Sequence, residues 1–175
     1  VPAVDDLRLV SIEAVDPATE ALPPSIAGWK SEDIYLRLSF FSVRNVRNLA
    51  ADFNLRLFVD AYFCGNQGHQ FAMSEYLFDR DGMFTDSVVP SRSRESSPMW
   101  VYLPTKLGPA KDPYGELTIP AYDLAMQPRD ICVQLRGSSM WRDGFSSNVA
   151  KATAAELTSA LGGLSRPVDA NPRRP

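Results

Sequence analysis

Apolar and polar residues alternate along most of this chain, and the alternation predicts β-strands. In Ile34–Val43 the residues Ile34, Leu36, Leu38 and Phe40 share one parity, and Tyr35, Arg37, Ser39 and Phe41 the other. A period of two sends these sets to opposite faces of a sheet. Phe53–Cys64 repeats the pattern, with Phe53, Leu55, Leu57, Val59, Ala61 and Phe63 on one side. Asn54, Arg56, Phe58, Asp60, Tyr62 and Cys64 take the other. A straight strand of that length would span roughly 40 Å, so a bend or bulge is expected within it. Leu7–Val15 changes parity near Leu9, which a β-bulge would reconcile. Further strands are predicted at 70–78, 83–89, 99–103, 115–119 and 130–136. Turn chemistry separates them: Gly65-Asn66-Gln67-Gly68, the Asp-Gly step of Asp79-Arg80-Asp81-Gly82, and the Ser/Arg/Pro-rich stretch 90–98. Residues 16–33 hold Pro17, Pro23, Pro24 and Gly28 and read as a long connection that carries Trp29.

Near the C-terminus the period changes. Ala150, Ala154, Leu157, Leu161 and Leu164 recur at helical spacing. Ser147 or Asn148 is positioned to cap such a helix, and Gly162-Gly163 to stop it. The expected helix covers 148–161. An Ala-rich helix of this length is marginal alone, so its apolar stripe must pack on the sheets or on a partner. The organisation expected is one domain over 1–164, followed by a Pro/Arg-rich extended tail over 165–175. About seven or eight strands broken by turns give an all-β, antiparallel sandwich with one C-terminal helix.

The stretch Gly115-Glu116-Leu117-Thr118-Ile119-Pro120-Ala121-Tyr122-Asp123-Leu124, followed by Asp130-Ile131-Cys132-Val133-Gln134-Leu135, resembles the crossover between sheets in immunoglobulin-like and fibronectin-like sandwiches. That resemblance implies a β-sandwich of this general kind. The chain departs from the family in two places. Asp130 stands where a corner tyrosine would precede the second cysteine, and Trp100 is the only tryptophan between the cysteines.

Composition narrows the class. The chain has 175 residues, 45% hydrophobic and 22% charged, enough for a sizeable core. The net charge of −3 and the shortness of Arg44-Asn45-Val46-Arg47 and Ser91-Arg92-Ser93-Arg94 argue against nucleic-acid binding. No run of about 18 apolar residues is present to form a spanning helix. The chain opens Val1-Pro2-Ala3-Val4 without an initiator Met, which fits a processed chain and leaves room for a signal peptide or lipid anchor upstream.

Cys64 and Cys132 are the only cysteines. Both fall on the more polar parity of their strands, beside Asp60, Tyr62, Gln134 and Arg136. This argues against a bridge through the middle of the core and for a link between neighbouring strands or near a strand end. A bridge would add roughly 4 kcal/mol by loop-closure entropy and would point to an oxidising, extracytoplasmic compartment. The other reading is two free thiols in a cytosolic protein. Two cysteines and one histidine fall short of a zinc site.

No catalytic constellation assembles from the sequence. His69 is the sole histidine and lies in a turn; no Gly-x-Ser-x-Gly elbow accompanies it. Asp79, Asp81 and Asp86 resemble part of a calcium loop, but Pro90 occupies the place of the twelfth-position glutamate, and an Asp-Gly turn is the simpler reading. Asp60 and Glu75 are conceivable neighbours for glycoside hydrolysis, though nothing singles them out. No phosphate-cradling loop or dinucleotide fingerprint is present, so no cofactor is expected. The residues that fit binding are aromatic: Trp29, Trp100 and Trp141, with Phe58 and Tyr62 on the polar side of their strand next to Arg56. The expectation is a non-catalytic, extracytoplasmic sandwich that binds a protein partner, of envelope, secretion-accessory or inhibitor type. The alternatives are a carbohydrate-binding module using exposed tryptophans, and a hydrolase with an unrecognised site.

Overall fold

The computed structural model describes residues 3–27, 33–65, 76–84, 88–111, 118–119, 121–140 and 144–163. The elements in chain order are β1 (Arg8–Val15), α1 (Pro24–Ala27), β2 (Tyr35–Phe41), α2 (Val46–Asp52), β3 (Arg56–Phe63), β4 (Leu77–Asp79), β5 (Gly82–Met83), β6 (Met99–Pro104), β7 (Lys106–Leu107), β8 (Ala110–Lys111), β9 (Thr118–Ile119), β10 (Tyr122–Asp123), β11 (Ile131–Ser138), β12 (Phe145–Ser146), β13 (Ala150–Ala152) and α3 (Ala154–Gly162). The chain is mostly β, and its sheets are antiparallel. A five-stranded sheet has the order β1-β2-β6-β4-β5. In a four-stranded sheet β11 is central, with β3 on one side and β12 and β13 sharing the other.

Alternation decides which side chains are buried. Leu36, Leu38 and Phe40 of β2, Val101 and Leu103 of β6, and Leu77 of β4 lie in one apolar cluster with Leu57, Val59, Ala61 and Phe63 of β3 and Ile131, Val133 and Leu135 of β11. The two sheets therefore share one core. The reverse face of the five-stranded sheet holds a smaller cluster: Val15, Tyr35, Phe78 and Tyr102 beneath Ile26 of α1. Phe78 and Tyr102 meet edge to face, with ring centroids 5.6 Å apart.

The parity change near Leu9 is a bulge, since the register with β2 skips between Leu9 and Ser11. The Asp-Gly step is a hairpin in which Asp79 pairs with Gly82, whose φ of 108° suits only glycine. The bend expected in Phe53–Cys64 has a different origin. Phe53 caps α2, Asn54 takes a left-handed φ of 50°, and the strand begins only at Arg56. Helix α2 was not anticipated. Asn45 caps it by accepting from the Asn48 N–H, and Val46, Leu49 and Ala50 turn into the core.

The expected helix over 148–161 is corrected at its start. Residues Ala150–Ala152 form β13, with Ala150 and Ala152 buried and Lys151 exposed between them, and they pair with Val133, Cys132 and Ile131. The helix begins at Ala154. Thr153 caps it and, with Glu156, forms a reciprocal capping box. Asn148 does not cap. Its side-chain amide bonds both ways with the Leu7 backbone, at 2.8 Å each, and so ties the approach to β1 to the approach to β13. Of the strands expected at 70–78, 83–89 and 115–119, the structure shows β4, β5 and β9, while Tyr76, Phe84, Val88 and Val89 are described and lie outside any strand, so the second expected strand is cut to its first residue by the end of the short hairpin. Residues 70–75, 85–87 and 115–117 of these, and the tail 165–175, lie outside the described residues.

Candidate functional site

The long ladder between β3 and β11 organises the site. It runs without interruption from Phe63 opposite Ile131 to Arg56 opposite Ser138. Residues directly opposite share a face, so Arg56, Phe58, Asp60 and Tyr62 stand on the same side as Ser138, Arg136, Gln134 and Cys132. The core takes the other side.

The disulfide Cys64–Cys132 is on this outer side. It links neighbouring strands at the end of β3, with a Cα–Cα distance of 5.1 Å, and closes a separation of 68 residues. Cys64 also donates its backbone N–H to Asp130, continuing the ladder by one bond. No free cysteine is present among the described residues.

Phe58 forms the centre of the face. The guanidinium carbon of Arg56 lies 4.8 Å from its ring centroid and that of Arg136 lies 5.8 Å away. Cations held over a ring in this way gain from its quadrupole. Arg136 also donates through Nε and Nη2 to the Asp60 carboxylate, a fork-to-fork pair. The hydrogen bond to Asp60 raises the Arg136 pKa, so its charge is fixed. Phe58 is half-buried, while Arg56 and Arg136 are exposed. Near the other end of the face, Lys151 pairs with Asp130 at 2.8 Å. That contact, and the Ala154 N–H donated to Asp130, hold its carboxyl below the usual carboxylate range.

The structure places the five aromatic candidates unevenly. Phe58 is on the face just described. Tyr62 shares its side but is buried, at 5% exposure, so it supports the face and does not project from it. Trp100 lies on the other sheet, between Ser39 and Phe78, half-buried against the smaller cluster. Its indole N–H is buried without a hydrogen-bond partner. Trp29 and Trp141 lie outside the described residues, as do His69, Glu75 and Asp86.

The acidic turn has another use than calcium binding. Asp79 is buried and receives Nε and Nη2 of the equally buried Arg47, both at 2.7 Å. Its Oδ1 also accepts the Asp81 N–H at 2.8 Å. Arg47 donates further to the Gly82 carbonyl and stacks 4.2 Å from the Phe84 ring centroid. A carboxylate so fully engaged by a cation is poorly placed to ligate a metal. No cluster of three or more potential metal ligands occurs among the described residues. Sequence reasoning missed this pair because Arg47 belongs to an unforeseen helix.

No helix among the described residues is long and apolar enough to cross a membrane. No family model, curated protein or solved structure matches the chain.

Proposed function

We propose that this is a non-catalytic, extracytoplasmic β-sandwich of immunoglobulin-like type that binds a protein partner through the outer face of its disulfide-linked sheet. The observation that carries this reading is Phe58, a partly exposed aromatic ring flanked by two exposed arginines on a regular strand ladder. Aromatic and arginine side chains are the residues most enriched among interface anchors. The ladder fixes their backbone, so little order is lost on association. Two sheets sharing one core support the sandwich, and the Cys64–Cys132 bridge supports the oxidising address. The same fold hosts many functions, so the reading rests on this face and not on the architecture.

The test is site-specific photocrosslinking in the source cells, with the crosslinking side chain placed at Phe58 or, as a control, at Met126, which is 78% exposed. The reading expects a discrete adduct at Phe58 that is absent at Met126 and is lost when Arg136→Glu is added. Equal, diffuse labelling at both positions would overturn it.

A further inference from the structure

Two short basic stretches, 44–47 and 91–94, are far apart in the sequence and lie side by side in the fold. Two asparagines of the first join them. Asn45 donates its side-chain amide to the carbonyls of Ser93 and Glu95, at 3.1 and 2.9 Å. Asn48 donates to the Ser93 carbonyl at 3.2 Å and accepts the Ser91 N–H at 2.8 Å. Ser96 donates its hydroxyl to the Val43 carbonyl at 2.6 Å. The two stretches therefore run antiparallel, with Val43 beside Ser96 and Asn48 beside Ser91. The Ser91 and Ser93 hydroxyls each accept the N–H two residues on, which stiffens the loop. Both serines are half-buried, whereas Arg92 and Arg94 alternate with them and are exposed. Arg44 is exposed as well. Arg47 is not part of this surface, since it turns inward to Asp79. Apolar side chains flank the strip: Val43, next to Arg44, is 77% exposed, and Val89, whose carbonyl lies 3.5 Å from Arg47 Nη1, is 71% exposed. Two carboxylates adjoin it, Glu95 in the loop and Asp6, which accepts from the Ser42 hydroxyl and the Val43 N–H. The three exposed guanidiniums outnumber them, in a chain whose net charge is −3.

We infer that this strip docks on the anionic surface of a lipid bilayer. A guanidinium stays charged throughout the physiological range, and its planar fork matches the oxygens of a phosphate. Arg44, Arg92 and Arg94 on one strip add their attractions to a surface of fixed anionic headgroups. The asparagine and serine bonds already order the loop, so little freedom is lost on docking. The valines decide the occupant. A soluble polyanion has no apolar layer to offer Val43 and Val89, whereas the headgroup boundary takes apolar side chains beside cations. The rest of the chain is net negative and is repelled by the same surface, so the docked molecule is oriented with this strip toward the lipid. A second copy carries the same cations, which oppose a pairing of strip with strip. The inference needs no spanning segment and is independent of the Phe58 face.

The test is vesicle flotation of the oxidised full chain at low salt. Vesicles of phosphatidylcholine alone are compared with equimolar phosphatidylcholine and phosphatidylglycerol. The variants are Arg94→Glu, Lys106→Glu and Val43→Ser/Val89→Ser. Lys106 follows the far end of β6 from the 91–94 loop and is exposed, so Lys106→Glu makes the same charge change away from the strip. All four substituted side chains of the strip and its control are exposed, so none of the variants disturbs the core. The expected result is flotation with the anionic vesicles and not with the neutral ones, released by raised salt. Partitioning should fall about tenfold or more in Arg94→Glu, hold in Lys106→Glu, and fall severalfold in the valine variant. No flotation with anionic vesicles, equal flotation with neutral ones, or equal effects of Arg94→Glu and Lys106→Glu would overturn the inference. So would binding to dextran sulfate as tight as to the vesicles together with indifference to the valine variant, which would make the occupant a soluble polyanion.

Discussion

Two arginine–aspartate pairs in this molecule have nearly the same geometry and opposite consequences. Arg47 and Asp79 are 5% exposed each and join helix α2 to the β4–β5 hairpin. Arg136 and Asp60 form the same forked contact on the outer face of β3 and β11, where the arginine side chain is 49% exposed. Burial separates them. Removing one partner of the inner pair strands a charge where water cannot reach it, whereas in the outer pair Arg136 is solvated if Asp60 is lost. The inner pair is therefore part of the fold. The outer pair is held by the fold and is free to be used.

The largest expected effect follows at once. Arg47→Ala leaves the Asp79 carboxylate buried with one backbone N–H, and should cost about 3–5 kcal/mol in denaturant unfolding. The double variant Arg47→Met/Asp79→Leu removes both charges and should recover most of that loss. If the double variant is no better than the single, the cost lies in lost packing against Phe84 and not in the stranded charge.

The disulfide comes next and tests how far the exposed face depends on its staple. Cys64→Ser/Cys132→Ser should lower unfolding stability by about 4 kcal/mol on the loop-closure estimate. Because β3 and β11 are already joined over eight opposed pairs, the ladder should survive in the folded state. Amide exchange within Val59–Ala61 should then remain protected. Loss of that protection at low denaturant would show that the bridge, and not the backbone ladder, holds the face together.

The outer pair itself should matter least to stability. Asp60→Ala is expected to change it by about 1 kcal/mol or less, measured beside Arg47→Ala in the same buffer. A loss as large as that of Arg47→Ala would erase the distinction on which the comparison rests.

The same division explains what could be read from the sequence. The period of two identified the core faces of β2, β3 and β11, and even the bulge at Leu9, because burial on one face acts residue by residue along a strand. The parity of Cys64 and Cys132 pointed to neighbouring strands for the same reason, and the bridge lies there. Arg47 was invisible because its partner is 32 residues away, and its helix turns an arginine inward among Val46, Leu49 and Ala50. Such a burial is decided by tertiary placement and carries no periodic signal. The start of α3 was a nearer miss. Thr153-Ala154-Ala155-Glu156 is a capping box in plain letters, but Ala150 also fits helical spacing and drew the boundary upstream. Ala150 and Ala152 bury themselves as alternate strand residues instead, which only the pairing with β11 could decide. Phe58 was legible as an apolar residue out of place on a polar parity; the guanidinium from β11 over its ring was not, since it depends on register.

Acid sharpens the contrast at the two helix starts. Helix α2 is capped by the Asn45 side-chain amide, which does not titrate. Helix α3 depends on two carboxylates. Glu156 accepts from the Thr153 N–H and hydroxyl, and these bonds lower its pKa; Asp130, lowered by Lys151 and then by the Ala154 N–H, holds the first residue of the helix. Asp6, lowered by the Val43 N–H and the Ser42 hydroxyl, behaves alike at the N-terminal approach to β1. A carboxyl whose folded pKa is depressed stabilises the fold fully above its unfolded pKa, and that contribution is lost as pH falls through the folded value. The window therefore opens below the ordinary values of 3.8 for Asp130 and Asp6 and 4.5 for Glu156. Amide protection factors between pH 5 and pH 3, corrected for intrinsic exchange, should fall first at Glu156 and Leu157, while those at Leu49 and Ala50 hold. Asp6 and Glu156 are exposed and Asp130 is half-buried at the surface, so the effect is a local fraying and not a global collapse. Simultaneous loss at both helices would mean that acid acts on the shared core and not on the carboxylates that start α3.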